Sequence, residues 1–261
     1  MNKNRPFFHY LTIGAVLLYL LVPLLGTLIY SFSTQWHKTI LPEGLTFHWY
    51  GELFSDSLFL KAMGRSLILS VGATILSLLI MVPAIFSIVV YAPRLEKFIQ
   101  ALIVLTYAMP GVIIAVGLIR AYSNSGMPMV VVTVGAYFVG ILPYMYQGTR
   151  NSLRNIQAVS LMEAAEILGA SRFTAFLKVI LPNIMPGVLV SSLLSFSILF
   201  GEFVLVNLLI GGSFETVQVY LYKKLNVSGH IASAIVICYF ILISILSSII
   251  VKVTRSRKET L

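Results

Sequence analysis

The chain has 261 residues, of which 58% are hydrophobic and only 10% are charged, and its mean hydropathy is +0.94. Soluble domains carry about 25% charged residues, so this composition indicates an integral membrane protein and excludes a large soluble enzyme domain. The net charge of +9 is distributed between apolar runs rather than gathered on one solvated face, which argues against a nucleic-acid reader.

Six apolar runs are long enough to cross a bilayer, which takes about 20 residues of helix. The first run exceeds the apolar core of a signal peptide, so we interpret it as an uncleaved span. We therefore expect one all-α transmembrane domain over residues 1–261. In chain order, the predicted spans are 11–31, 66–91, 98–119, 128–148, 184–206 and 231–251.

A polar segment, 33–65, separates the first two spans and contains Trp36, Trp49 and Tyr50. Tryptophan and tyrosine favour the membrane–water interface. The stretch 49–63 is therefore predicted to be a short helix lying along the membrane surface.

The lysine and arginine residues predict the orientation, because cytoplasmic loops are enriched in them. An even number of spans places both termini on one side, together with the loop 149–183. That side holds 12 of the 18 basic residues and is predicted to be cytoplasmic. The 12 are Lys3, Arg5, Arg94, Lys97, Arg150, Arg154, Arg172, Lys178, Lys252, Arg255, Arg257 and Lys258.

Prolines and small residues interrupt the spans. The stretch 107–110, which ends in Pro110, predicts a bend in the third span, since proline removes a helical hydrogen bond. Gly111 with Ala115 and Ala136 with Gly140 place small residues four apart, where helices can approach closely. These pairs fit either tight packing or a lined pathway.

The loop 149–183 contains a helical pattern of its own. Apolar and small residues recur at spacings 0, 3, 4 and 7, which predicts one apolar helix face formed by Leu161, Ala164, Ala165 and Leu168. The two alanines of this face leave room for another surface to come close. Gly169 is predicted to end this helix in a left-handed conformation. Ser171 is predicted to cap a second short helix that runs toward Pro182. The result is a helix–glycine–helix elbow between the fourth and fifth spans.

The same segment resembles the EAA signature of ABC-importer permeases, EAA-x3-G-x9-I-x-LP. Val179 replaces the isoleucine and is the single departure. The matching residues are Glu163, Ala164, Ala165, Gly169, Leu181 and Pro182.

The resemblance implies that the elbow is the coupling helix of a type I importer and sits in a groove of a separate ATPase. Glu163 would then pair with a basic residue of that ATPase, or else lie on a solvated helix face. Ala164 and Ala165 would allow close docking, and Gly169 would make the turn. The implied partners are an ABC ATPase dimer that binds ATP and Mg, a second permease chain, an extracytoplasmic solute-binding protein and the lipid of a bacterial inner membrane.

The chain itself shows no catalytic, cofactor or metal pattern. It has no Gly-x4-Gly-Lys-Ser/Thr loop to hold nucleotide phosphates. Its histidines are scattered over loops and ends, at His9, His37, His48 and His230, so neither metal binding nor acid–base catalysis is expected. ATP hydrolysis is therefore expected in a separate chain.

Glu202 is the ionisable residue nearest the membrane, close to the outer end of the predicted fifth span. It either lines the substrate path and attracts a cation or lies in interfacial water. Asn207 and Tyr107 are weaker candidates for the same path, and Tyr107 also fits a packed aromatic.

The substrate prediction rests on resemblance. The polyamine-permease branch has an acidic residue in a position comparable to Glu202, and the segment 31–44 also resembles permeases for 2-aminoethylphosphonate. The segment 215–222 resembles polyamine, phosphonate, thiamine and ferric-ion permeases alike. We favour polyamine over 2-aminoethylphosphonate. A self-contained secondary transporter is the rival class, and it predicts inverted repeats and several buried charges.

Overall fold

The structure is a computed structural model that describes residues 5–36 and 41–258, with side chains for 9–36 and 41–252. Helices joined by short turns account for nearly all of these residues. In chain order they are α1 Arg5–Phe32, α2 His48–Ser55, α3 Ser57–Tyr91, α4 Glu96–Ala108, α5 Gly111–Tyr122, α6 Met129–Asn155, α7 Ala158–Ile167, α8 Arg172–Ala175, α9 Leu181–Phe200, α10 Val204–Leu209, α11 Val217–Leu225 and α12 Gly229–Lys258.

Five stretches of helix within the described residues are long and apolar enough to cross a membrane. These are His9–Phe32, Ser57–Tyr91, Met129–Asn155, Arg172–Phe200 and Gly229–Lys252. The pair α4 and α5 passes the same test only when taken together, which gives up to six spans.

The predicted third span, 98–119, is not one continuous helix. Its two halves meet at an angle of 96°. Met109 and Pro110 are both extended, with ψ of 120° and 136°, and Pro110 has no N–H to donate back into α4. The stretch is therefore a broken span or a re-entrant loop, sharper than the predicted bend.

Two further predictions of helix bounds were wrong. The surface helix expected over 49–63 is divided at Asp56, whose Oδ1 accepts from Leu58 N at 2.8 Å and so caps α3. The fifth span, expected over 184–206, ends at Phe200, and a break at 201–203 precedes α10.

The chain divides into two compact units. The first unit comprises Met1–Leu60 and Tyr220–Leu242, and the second comprises Lys61–Val219 and Ile243–Leu261.

In the first unit, the aromatic residues of the polar segment pack together. The His230 ring stacks on Tyr30 at 4.2 Å and on Trp49 at 4.9 Å between centroids, and Trp49 Nε1 donates to Ser33 O at 2.8 Å. These contacts join α1, α2 and the start of α12.

Asp56 binds α11 to the start of α3 within the same unit. Its Oδ2 accepts from Tyr220 OH at 2.6 Å and from Lys224 Nζ at 3.3 Å. The hydrogen bond from Tyr220 is the largest influence on the pKa of Asp56, and together with Lys224 and Leu58 N it lowers that pKa below its usual value.

In the second unit, α6 and α9 cross at a reciprocal pair of glycines. A Cβ on Gly148 of α6 would lie 2.3 Å from Ser191 Cβ, and a Cβ on Gly187 of α9 would lie 1.9 Å from Ser152 Oγ. Only glycine allows this approach, which is how small residues bring membrane helices together.

The pairs of small residues named in the sequence analysis do not lie at this crossing. Ala115 and Ala136 are buried, and a Cβ on Gly111 would touch Val204 at 3.8 Å. Gly140 instead faces open space. The close crossing of α6 and α9 is thus formed by glycines that the sequence analysis did not select.

Candidate functional site

The elbow is the stretch that leaves α6 and returns to α9. Gln157 turns the chain out of α6 in a left-handed conformation, with φ 51° and ψ 52°. Helices α7 and α8 follow, and a π-helical turn, Phe176–Ile180, leads from α8 into α9. Such turns insert one extra residue into a helix and often occur at functional sites.

Two predictions for the elbow are confirmed. Gly169 has φ 84°, and the turn closes with Ala170 N donating to Ala165 O at 3.0 Å and Gly169 N donating to Glu166 O at 2.9 Å. This is the Schellman pattern for ending a helix. Ser171 Oγ accepts from Thr174 N at 3.3 Å and so caps α8.

The predicted apolar face of α7 is divided between the interior and the surface. Leu161 and Ala165 face inward, whereas Ala164 and Leu168 are exposed. The inward residues have the spacing 0, 3, 4 and 7 and are Ala158, Leu161, Met162 and Ala165.

The outer surface of the elbow is apolar. Ile167 is 85% exposed, Leu168 is 87% exposed and Phe173 is 72% exposed. Glu163 and Ala164 are exposed on α7, the helix that ends at Ile167. Clustered large apolar side chains on an exposed turn mark an interaction surface.

The elbow is held against the end of α3. Arg172 Nε lies 3.2 Å from Glu166 Oε1, and the Arg172 guanidinium lies 5.0 Å from the centroid of the Tyr91 ring. The Phe176 and Phe86 rings pack at 4.6 Å.

At the end of the signature, Leu181 is half-buried and Pro182 is exposed in the first turn of α9. Proline has no N–H and is tolerated near a helix start. Asn183 Nδ2 donates to Val179 O at 2.7 Å, which gives this carbonyl an extra partner where α9 begins.

A partly buried ion-pair cluster lies close to the elbow along α6. Glu96, at the start of α4, has a side chain only 13% exposed. It accepts from Arg150 Nε and from Arg154 Nη2, the latter at 3.0 and 3.1 Å to its two oxygens. The sequence analysis counted Arg150 and Arg154 only as cytoplasmic charges, because 54 and 58 positions separate them from Glu96 along the chain.

A cavity of about 610 Å³ lies in the second unit at the bend between α4 and α5. Leu105 lines it from α4, Met109 from the link between α4 and α5, Gly140 from α6 and Leu205 from α10. Its walls are almost entirely apolar.

The predicted path residues Glu202, Asn207 and Tyr107 are absent from the cavity lining among the described residues. Glu202 is half-buried, and its Oε1 accepts from Leu205 N at 2.8 Å, so it holds the start of α10. Asn207 is exposed, and Tyr107, also exposed, meets Tyr144 edge-on at 5.7 Å. Their contact with a solute stays a prediction.

In the part of the chain that the structure describes, His, Cys, Asp and Glu form no group of three or more that could hold a metal ion.

Comparison with known proteins gives a family and a set of relatives. Residues 80–259 match the family described as "Binding-protein-dependent transport system inner membrane component". The chain is 25% identical to the spermidine/putrescine transport system permease protein PotC of Escherichia coli K12, over 94% of both chains. It is 26% identical to the putative 2-aminoethylphosphonate transport system permease protein PhnV of Salmonella typhimurium LT2, over 93% of this chain and 91% of that one.

Solved structures show the same fold. A chain of a bacterial ABC transporter that imports the acidic polysaccharide alginate matches with a TM-score of 0.70 and 21% identity, over 97% of this chain and 98% of that one. A chain of the inward-facing MetNI methionine ABC transporter matches with a TM-score of 0.62 and 16% identity, over 76% of this chain and 95% of that one.

Proposed function

Since the chain belongs to the family of inner membrane components of binding-protein-dependent transport systems, we propose that it forms the path of an importer for a small amine-bearing solute, together with a second permease. It is an ABC-importer permease, a multi-pass membrane protein and not an enzyme. The proposal concerns its solute, its partners and its orientation.

The observation that carries the proposal is the apolar outer surface of the elbow. Ile167 and Leu168 project from a helix that the Schellman turn fixes in place. Burying a large aliphatic side chain of this kind stabilises a contact by about 1.5 to 3 kcal/mol. A groove on an ABC ATPase is the partner that fits this surface, and Glu163 would pair there with a basic residue.

The two alanines of the signature have different roles. Ala164 faces outward, where its small side chain lets the ATPase approach. Ala165 faces inward and holds α7 close to the rest of the second unit. ATP and Mg are bound by the ATPase dimer. Both termini and the elbow lie on its side of the membrane, in the cytoplasm.

Transport requires that ATP favours one arrangement of the permease pair. A ligand shifts a conformational equilibrium only by its differential affinity for the two states, so ATP must bind the outward-facing arrangement more tightly. The elbow is the element through which the ATPase would impose that preference on α6 and α9.

The solute class is supported by the relatives. The solutes named for them, spermidine, putrescine and 2-aminoethylphosphonate, all carry an amine. We place polyamine first, because the E. coli relative is named for spermidine and putrescine, and 2-aminoethylphosphonate second. The cavity lining includes no carboxylate among the described residues, so selection of a cation would fall mainly to the solute-binding protein.

Reconstituted uptake tests the proposal. The permease is purified with its co-extracted partners, placed in proteoliposomes, and supplied with the solute-binding protein and radiolabelled putrescine, spermidine or 2-aminoethylphosphonate. We expect uptake of an amine-bearing solute that requires ATP and the binding protein. Uptake by this chain alone, without ATP, would contradict the importer and favour a secondary transporter.

A further inference from the structure

The elbow and the two helices that flank it form one rigid group. The Gly148–Ser191 and Gly187–Ser152 contacts bring α6 and α9 so close that a single added methyl group would collide. Packed interiors of this density transmit displacement rather than absorb it. A movement of the elbow is therefore carried along α6 and α9 together.

Helix α4 has a different kind of attachment to α6. Glu96, in the first turn of α4, accepts from Arg150 and Arg154, which lie four residues apart on one face of α6. In the amide orientation that satisfies both groups, Gln100 Oε1 also accepts from Arg150 Nη2 at 2.9 Å. Glu96 thus holds two guanidinium groups that are one helical turn apart.

This spacing lets the attachment survive movement. One turn of helix advances about 5.4 Å, so when α4 slides along α6 the carboxylate can release one of its two guanidinium partners and keep the other. Steps of one turn between packed helices are an established type of conformational switch. An apolar contact in the same place would have no such second position.

The other end of α4 leads directly to the cavity. Leu105 and Met109 line its wall, and the helix breaks at Met109 and Pro110. The next helix restarts with Ile113 N donating to Pro110 O at 3.0 Å. The extended Met109–Pro110 link carries no helical hydrogen bond across it, so the angle between α4 and α5 can change without breaking either helix.

From this geometry we propose that Glu96 is a positioning residue that transmits movement of the elbow to the α4–α5 bend, through Arg150 and Arg154. The inference rests on the proposed function, because it requires that an ATPase moves the elbow. This link is separate from the contacts of Arg172 and Phe176 with the end of α3.

The test compares Glu96→Gln with the control Lys97→Gln, which removes an exposed charge from the adjacent position of α4. In the reconstituted importer, Glu96→Gln should retain the ATPase subunit and its basal hydrolysis. Solute taken up per ATP should fall by about tenfold, within the usual range of coupling between sites. Lys97→Gln should match the wild type.

Charge reversal separates positioning from a merely structural role. The double variant Glu96→Arg with Arg150→Glu restores an opposite-charge pair and should recover most of the uptake per ATP. Should Glu96→Gln not insert stably, Arg154→Gln carries the test, since it leaves Glu96 paired with Arg150 but removes the second position. It should lower uptake per ATP with little change in stability.

A distance measurement reads the transmission directly. Spin labels are introduced at position 104 on α4 and position 116 on α5, both of which are exposed. The background is Cys238→Ser, which removes the single cysteine of the chain. The distance between them should change on trapping ATP in the wild type and not in Glu96→Gln. The inference would be overturned if Glu96→Gln showed the same ATP-dependent change of distance and the same uptake per ATP as the wild type. Absence of ATP-driven uptake in the wild type would instead overturn the proposed function.

Discussion

The crossing of α6 and α9 gives the sharpest prediction of stability. The Cβ of Gly148→Ala would lie 2.3 Å from Ser191 Cβ and 2.6 Å from its Oγ. Because Ser191 Cβ is fixed to the backbone, a change of rotamer cannot relieve the clash. The helices would have to separate by about 1 Å to reach an ordinary contact of 3.4 Å, which loosens the packing over their shared face.

Overpacking of this kind costs about 1 to 3 kcal/mol. The helix-forming tendency of alanine returns up to about 1 kcal/mol of that. Taking about 2 kcal/mol for the overpacking, we expect a net loss of about 1 kcal/mol. At about 2 to 4 °C per kcal/mol for a chain of this size, the unfolding temperature should fall by about 2 to 4 °C. Thermal unfolding of the detergent-purified protein is monitored by size-exclusion chromatography.

The chain supplies both a control and a rescue. Gly135 is on the same helix, and a Cβ there meets nothing within 4 Å, so Gly135→Ala should be neutral or stabilising. Ser191→Gly removes the atom that Gly148→Ala strikes, so the double variant should recover most of the loss. Equal stability of Gly148→Ala and Gly135→Ala, or no rescue by Ser191→Gly, would refute the reasoning.

Three further outcomes are expected. Leu168→Ser should lower co-purification of the ATPase, because it removes an apolar side chain that is 87% exposed on the elbow. The control Val159→Ser, on α7, should not lower it, and equal yields of the ATPase from the two variants would contradict this expectation. Gly169→Ala should lower the unfolding temperature, because φ 84° costs an alanine about 1 to 2 kcal/mol, and an unchanged temperature would count against the left-handed turn. The hydrogen bond from Tyr220 lowers the pKa of Asp56, so its stabilisation is complete above the unfolded value of 3.8 and is lost as pH falls through the folded value. Asp56→Asn should therefore reduce the acid sensitivity of unfolding as the pH falls below 3.8, and an identical pH profile would contradict the assignment.

Local chemistry explains which parts of the elbow were predictable. The Gly169 turn and the Ser171 cap depend on residues within a few positions, so the sequence pattern was sufficient for both. The left-handed Gln157 that precedes α7 was not predictable in this way, because glutamine carries no obvious turn signal.

Long-range contacts were not predictable in the same way. Glu96 and Arg150 are 54 positions apart, and nothing in their spacing indicates a pair. The Gly148 and Gly187 crossing depends on the relative rotation of two helices, which one sequence does not specify. The bend before Pro110 was predicted from the proline, but its size depends on the extended Met109 as well.

The central claim is that the elbow of this permease docks on a separate ATPase. A photo-reactive amino acid at position 168, compared with position 104 on α4, tests it in native membranes with cross-linked partners identified by mass spectrometry. Both positions carry exposed side chains, but only the first lies on the elbow. The account predicts an ATPase cross-linked to position 168 and not to position 104. Cross-links from position 168 that contain no ATPase, in membranes that show ATP-driven uptake, would contradict it.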